Sequence, residues 1–256
     1  MVIKEQVYIS PYGLDRTLHI YLPDDYYDSG MSYPVMYMYD GHNLFSDMDA
    51  TYGKSWGLAD YMTRADRKMI IAGLECNHEG NQRLVEFCPY DFTDFDGLRY
   101  SGTGRVLMDW MVQELKPYMD SHYRTIPDRG HTGIGGSSMG GLMSFFSIVC
   151  YNEYFSRAAC LSSTFSLCHA ALKKDLLAVS ALDPDTRVYL SWGGQELRNK
   201  RALIKYSCEN LEFSHLLTER GAAVYPYLQG RGRHCEEDWE KQNGIYMSFL
   251  WDEGKA

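Results

Sequence analysis

Gly136-Ser137-Ser138-Met139-Gly140 constrains this chain more than any other segment, because it fits the Gly-x-Ser-x-Gly pattern. A serine at the centre of that pattern sits on a very tight strand-to-helix turn. Its backbone is strained, so the neighbours two positions away must lack bulk. Gly133, Gly135 and Gly141 extend the glycine set, and only Ser138, not Ser137, has glycine at the correct spacing on both sides. The helix that follows aims backbone N–H groups and its positive end at the turn, with the Met139 N–H next to the serine. A Walker phosphate loop requires a Gly-Lys-Ser/Thr ending, which is missing here. A dinucleotide fingerprint belongs to a first strand–helix unit, not halfway along a chain. The pattern therefore predicts an exposed nucleophilic serine on an α/β scaffold.

The rest of the chain alternates strands and helices as such a scaffold requires. Gln6–Ser10 and Thr17–Leu22 alternate apolar and polar residues around the turn Pro11-Tyr12-Gly13. Tyr33–Tyr39 and Lys68–Leu74 are nearly continuous apolar runs, the mark of strands covered on both faces. Val106, Leu107, Trp110, Met111, Leu115 and Tyr118 recur at helical spacing, with Thr103 or Ser101 as the expected cap. A short strand at His131–Gly135 leads through the serine turn into a helix over Gly141–Cys150. Ala158–Ser162, Arg187–Trp192 and Ala223–Leu228 read as later strands, Cys208–Arg220 as an amphipathic helix and Glu236–Trp251 as a closing helix. This order predicts a mostly parallel sheet covered by helices on both faces, with the site at the carboxyl ends of the strands. No repeat or linker interrupts it, so residues 1–256 read as one domain without a large cap.

Composition narrows the function classes. The net charge is −9 and no Lys/Arg cluster exists, which argues against nucleic-acid or anionic-membrane partners. No stretch approaches the ~18 apolar residues of a membrane span. Met1–Gln6 lacks the basic-then-apolar pattern of a secretory leader. The seven cysteines are odd in number, scattered and without a Cys-x-x-Cys pair, which predicts free thiols and a cytoplasmic location. Glu75, Cys76, His78 and Glu79 lie close together but lack a metal-binding spacing or a second cluster, so no metal and no cofactor is expected.

Several further segments carry a resemblance. They are Tyr39–Phe45, Tyr52–Trp56, Asn81–Tyr90, Glu114–Tyr118, Gly135–Gly141 and His234–Trp239, in that order along the chain. Together they resemble the esterase family of α/β-hydrolases that holds enterochelin-type, feruloyl and acetylxylan esterases, S-formylglutathione hydrolases and mycolyltransferases. The resemblance implies an α/β-hydrolase fold and ester chemistry without a cofactor.

Nucleophilic catalysis needs a base near the serine and a carboxylate to orient it, and in this fold both follow the serine, acid before histidine. Of His169, His215 and His234, the last lies in the polar loop Gln229–His234 directly after the last strand, where a mobile base belongs. His215 falls within a helix and His169 just before one. The resemblance selects His234 too, with Trp239 at the family's spacing. Glu196 lies just beyond the Val188–Trp192 strand, whereas Asp183 and Asp185 precede it, and the resemblance again points to Glu196. Glu236-Glu237-Asp238 reads as the acidic start of a helix.

Met139 is expected to supply one oxyanion N–H. By resemblance the second is the residue after Asp40-Gly41, which is His42 through its backbone; its side chain precedes the serine and falls in the wrong order to be the base. Arg83 and Glu86 resemble a family pair that braces a loop near the site. With Trp56 they are candidate substrate contacts, and Phe92 is a further candidate for stacking. The resulting expectation is a serine carboxylic-ester hydrolase acting on small-molecule esters: acylated carbohydrates, cinnamoyl (feruloyl) esters or siderophore-type esters with a bulky alcohol part. An acyltransferase or thioesterase would use the same residues. A non-catalytic carbohydrate-binding relative would have no need of the strained turn.

Overall fold

The apolar runs form the centre of a sheet, as their lack of alternation requires. A computed structural model of the chain describes residues 1–94 and 96–252. Its strands are β1 (Val2–Ile9), β2 (Leu14–Tyr21), β3 (Val35–Tyr39), β4 (Ile70–Leu74), the short pair β5 (Phe92–Thr93) and β6 (Arg99–Tyr100), β7 (Thr132–Ser137), β8 (Arg157–Leu161), β9 (Arg187–Gly193) and β10 (Ala223–Gln229). The main sheet runs β1-β2-β4-β3-β7-β8-β9-β10, with β5 and β6 paired apart from it. β2 is antiparallel to both β1 and β4, and all later neighbours are parallel. This is the mostly parallel sheet expected from the strand–helix alternation, in the α/β-hydrolase arrangement that the resemblance implies.

Both faces of the sheet are covered, and β3 shows how. Val35, Tyr37 and Tyr39 enter one core, with Leu107, Leu142, Leu172 and Phe213 from the helices Gly104–Trp110, Met139–Cys150, His169–Ala178 and Lys200–Glu219. Met36 and Met38 enter the other, with Leu58, Met62, Trp239 and Tyr246 from Leu58–Arg64, Glu236–Glu240 and Asn243–Trp251. Alternate side chains of one strand point to opposite faces, so a continuous apolar run serves two cores. The outer strands are more exposed, and Pro226 sits in the edge strand β10, where its missing N–H breaks least of the ladder.

The structure revises several expected boundaries. The helix expected over residues 106–119 runs from Gly104 to His122 and contains a π turn at Met111–Leu115, where the Lys116 N–H reaches back to the Met111 carbonyl. Pro117 cannot donate to the ladder, and the wider turn accommodates it. Thr103 occupies the cap position but does not cap: its hydroxyl meets the Tyr12 hydroxyl and the Val85 carbonyl. The closing helix is two helices, broken between Glu240 and Asn243. Among the described residues no helix is long and apolar enough to cross a membrane. All seven cysteines are free.

The turn after β3 is pressed onto β4. A Cβ on Gly41 would lie 2.1 Å from the Gly73 carbonyl oxygen, so no side chain fits there. Gly41→Ala is expected to cost about 2 kcal/mol or more by overpacking. It should also displace His42, the residue expected to give the second oxyanion N–H, and so lower any ester turnover more than stability alone explains. Urea unfolding and turnover measured on the same preparation check this.

Candidate active site

The expected catalytic and oxyanion residues lie beyond the carboxyl ends of sheet strands. β7 ends at Ser137, and Ser138 has φ 57° and ψ −116°, a conformation an L-residue holds only under strain. The flanking glycines permit it. A Cβ on Gly136 would meet the Gly140 backbone at 2.9 Å, and one on Gly140 would meet Tyr39 Cβ at 2.8 Å. Two backbone bonds fix the turn, Ser138 N–H to the Leu161 carbonyl at 2.9 Å and Thr164 N–H to the Ser138 carbonyl at 3.2 Å. The Ser138 and Thr164 hydroxyl oxygens are 3.2 Å apart.

Beyond β9 and β10, two loops bring a carboxylate to an imidazole. His234 Nδ1 and Glu196 Oε2 are 2.8 Å apart, with the glutamate side chain only 3% exposed and the histidine 41%. Glu196 Oε1 accepts from the Ser162 hydroxyl at 2.7 Å and from the Gly193 N–H. Ser162 in turn accepts from Trp239 Nε1 at 2.8 Å, and the Trp239 ring packs edge-on against His234. The carboxylate is thus held by three donors, and the histidine by a carboxylate and an aromatic wall. His234 and Ser138 line the same cleft.

The cleft has two lobes that meet at Ser138 and His234. One, of about 530 Å³, is mostly apolar and lined by Thr164, Leu167, Leu197 and Tyr206, among others. The other, of about 420 Å³, is polar and lined by Asp40, His42, Tyr52, Arg83 and Glu236. Met139 comes two residues after the end of β7 and His42 three residues after the end of β3. Among the described residues neither backbone N–H is engaged by a backbone carbonyl.

The charged wall of the polar lobe is organised around Asp40, which Arg83 grips with two bonds of 2.7 Å. Burial works to raise the Asp40 carboxyl, but Arg83 outweighs it and holds the group below its usual value. Burial pushes the His42 imidazole down, with the His78 ring adding to the effect. Burial raises the Glu236 carboxyl, with Asp40 nearby contributing.

Other expected contacts are relocated. Trp56 is 2% exposed, packs on Trp239 and lies outside both lobes, so it buttresses the site and touches no ligand. Phe92 is likewise buried, stacked on Tyr100. Arg83 and Glu86 do not pair with each other. Glu86 is buried against Arg16 at 2.9 and 3.0 Å, which removes it from the ligand surface, while Arg83 faces the polar lobe. Both brace loops, through partners distant in sequence. Asp183 and Asp185 engage Arg129 at the opposite edge, and His215 pairs with Glu219 on the surface. Asp238 accepts from Arg233 and Lys241, as a structural helix start should, but its neighbour Glu236 lines the cleft. Sequence reasoning missed Glu236, Ser162 and Thr164. Nothing marks the two hydroxyls except their place just after an apolar strand.

Comparison with known proteins identifies the family of the chain. The family model described as "Putative esterase" matches residues 10–242, and the chain belongs to that family, which places it among hydrolases acting on esters. The uncharacterised protein YbbA of Bacillus subtilis is 26% identical over 216 residues, covering 81% of this chain and 80% of that protein. Among solved structures, an IroE-like serine hydrolase from Shewanella oneidensis superposes with a TM-score of 0.76 at 20% identity, covering 97% of this chain and 80% of that one. The enterobactin esterase FES of Shigella flexneri gives 0.72 at 14% identity, covering 98% of this chain. This chain spans only 59% of that esterase. At such identities the two structures establish a shared fold.

Two predictions follow from the strain and the ion pair. Ser138→Gly relieves the positive φ and should be more stable than Ser138→Ala by about 1 kcal/mol; denaturant midpoints of the two variants test it. Arg83→Met leaves Asp40 buried without its partner and should cost about 3 kcal/mol at pH 7. In the wild type the depressed carboxyl contributes stability that is intact above the unfolded value of ~4 and is lost as pH falls through the lower folded value. In the variant burial alone raises Asp40, so the gap between the two proteins should narrow in acid as the carboxyl is protonated. A gap that stays constant between neutral and acidic pH would contradict this.

Proposed function

We propose that this chain is a serine carboxylic-ester hydrolase working through an acyl-enzyme on Ser138. The observation that carries the proposal is the 2.8 Å contact between His234 Nδ1 and a buried Glu196, beside a cleft lined by a serine in a strained turn. Glu196 accepts a hydrogen bond from Nδ1–H and so fixes the tautomer, which leaves Nε2 unprotonated to take the Ser138 proton. Ser138 Oγ then attacks the ester carbonyl. The developing oxyanion rests on the Met139 and His42 amides, which are worth several kcal/mol when preorganised. His234 passes its proton to the leaving alcohol, and water releases the acid by the same steps in reverse. No cofactor enters this scheme.

The cleft supports an ester with two sizeable parts, one for each lobe. In the larger lobe the Ser163 hydroxyl and Glu209 Oε2 are buried without hydrogen-bond partners, which suits a group bearing hydroxyls. Acylated sugars, cinnamoyl esters and siderophore-type esters all meet this requirement. The shared fold with the Shigella enterobactin esterase supports the last of these. The free thiols fit a reducing, cytoplasmic compartment.

Hydrolysis of p-nitrophenyl acetate, butyrate and octanoate beside methyl ferulate tests the reading. Ser138→Ala should abolish turnover, and Glu196→Gln should lower kcat by about 10²- to 10⁴-fold with KM little changed. Equal rates for Ser138→Ala and the wild type would refute it.

A further inference from the structure

The fold brings together three side chains that the proposed reaction does not use. His42 comes from the turn after β3, and Cys76 and His78 come from the loop after β4. One ligand atom from each lies within 4.8 Å of the others. Cys76 Sγ and His78 Nδ1 are 3.9 Å apart, and the His42 and His78 rings meet edge-on with centroids 4.7 Å apart. A tetrahedral ion with bonds of ~2.0–2.3 Å holds its ligand atoms ~3.3–3.6 Å from one another. A contraction of about 1.5 Å or less therefore closes the set, with His78 at an exposed loop position.

The nitrogen of His42 available for this is Nδ1. His42 is 5% exposed, Nδ1 is buried without a hydrogen-bond partner, and Nε2 is already engaged with the Thr51 hydroxyl at 3.0 Å. An orphaned ring nitrogen at that depth is costly unless something binds it. Behind His78 the Glu75 carboxylate lies 3.8 Å from Nε2, within charge-pair range but too far for a direct hydrogen bond. Metal-bound histidines are held by such outer partners, a hydroxyl or carboxylate on the ring nitrogen away from the ion. Two imidazoles and a thiolate form a soft-to-borderline donor set, unsuited to Mg²⁺ or Ca²⁺.

We propose that His42 Nδ1, Cys76 Sγ and His78 Nδ1 form a binding site for a divalent cation of the Zn²⁺ class, with its fourth position open to the polar lobe. Binding breaks the Cys76 S–H bond, releases that proton to solvent and forms a sulfur–metal bond; no oxidant or reductant takes part. His42, Cys76 and His78 all line the lobe that reaches Ser138, so a bound ion narrows the space for substrate. It also tethers the residue whose backbone N–H is assigned to the oxyanion. Occupancy therefore slows ester turnover. The site itself stands apart from the ester-hydrolase reading, and only this last consequence rests on it.

The full chain, stripped with a chelator, is titrated with Co²⁺ and then with Zn²⁺ in competition with a chromogenic chelator. The expected result is one ion per chain, a thiolate-to-cobalt charge-transfer band and release of one proton. Cys76→Ser should abolish the band, and His78→Ala should weaken binding by about 100-fold. The His78 side chain is 57% exposed, so that variant keeps the test decisive even if Cys76→Ser fails to fold. Absence of a thiolate band, or equal affinity in the wild type and His78→Ala, would overturn the site. Turnover that stays unchanged in wild-type protein at saturating Zn²⁺ would overturn the inhibitory role while Co²⁺ spectra report the site independently.

Discussion

The backbone of Ser138 is the constraint on which the rest of the structure depends. A non-glycine residue at φ 57° and ψ −116° persists only when its surroundings leave no alternative. Here they are the bond from its N–H to Leu161 at the end of β8, and glycines that let Tyr39 of β3 and Ser163 after β8 approach the helix start. A Cβ on Gly141 would lie 2.5 Å from the Ser163 hydroxyl oxygen. The three central strands must therefore end in register, and that register aligns the loops carrying His42, Ser162 and Thr164. Folding energy from two apolar cores holds one side chain where relaxed geometry would not.

The other half of the site depends less on strain than on a chain of polar contacts. Trp239 donates to Ser162, Ser162 donates to Glu196, and Glu196 meets His234. Each buried polar atom in this relay has a partner, as low-dielectric surroundings require. Trp56 packs behind Trp239 at a tilt, so a residue outside the cleft still helps set the position of the imidazole. Asp40 and Arg83 play the matching part on the polar side, clamping the turn that holds His42.

The sequence revealed what short-range chemistry determines. The glycine spacing marked Ser138, the continuous apolar runs marked β3 and β4, and the polar loop after the last strand marked His234. It did not reveal contacts that only the fold creates. Arg83 and Glu86 resembled a family pair that braces a loop, yet their partners are Asp40 and Arg16, in segments far away in sequence. Trp56 read as a stacking surface because burial is invisible in an isolated aromatic. The spacing of Cys76 and His78 offered no metal site, because the third donor, His42, belongs to the turn after a different strand. The π turn at Met111–Leu115 and the break after Glu240 were hidden by apolar periodicity that continues through them.

The central claim is that Ser138 is the nucleophile, and active-site labelling tests it most directly. A fluorophosphonate should add one phosphonyl group per chain, and peptide mapping by mass spectrometry should find it on Ser138. Labelling should be lost when His234 is replaced by alanine. A phosphonyl group on another residue, or none on a protein that hydrolyses esters, would contradict the account.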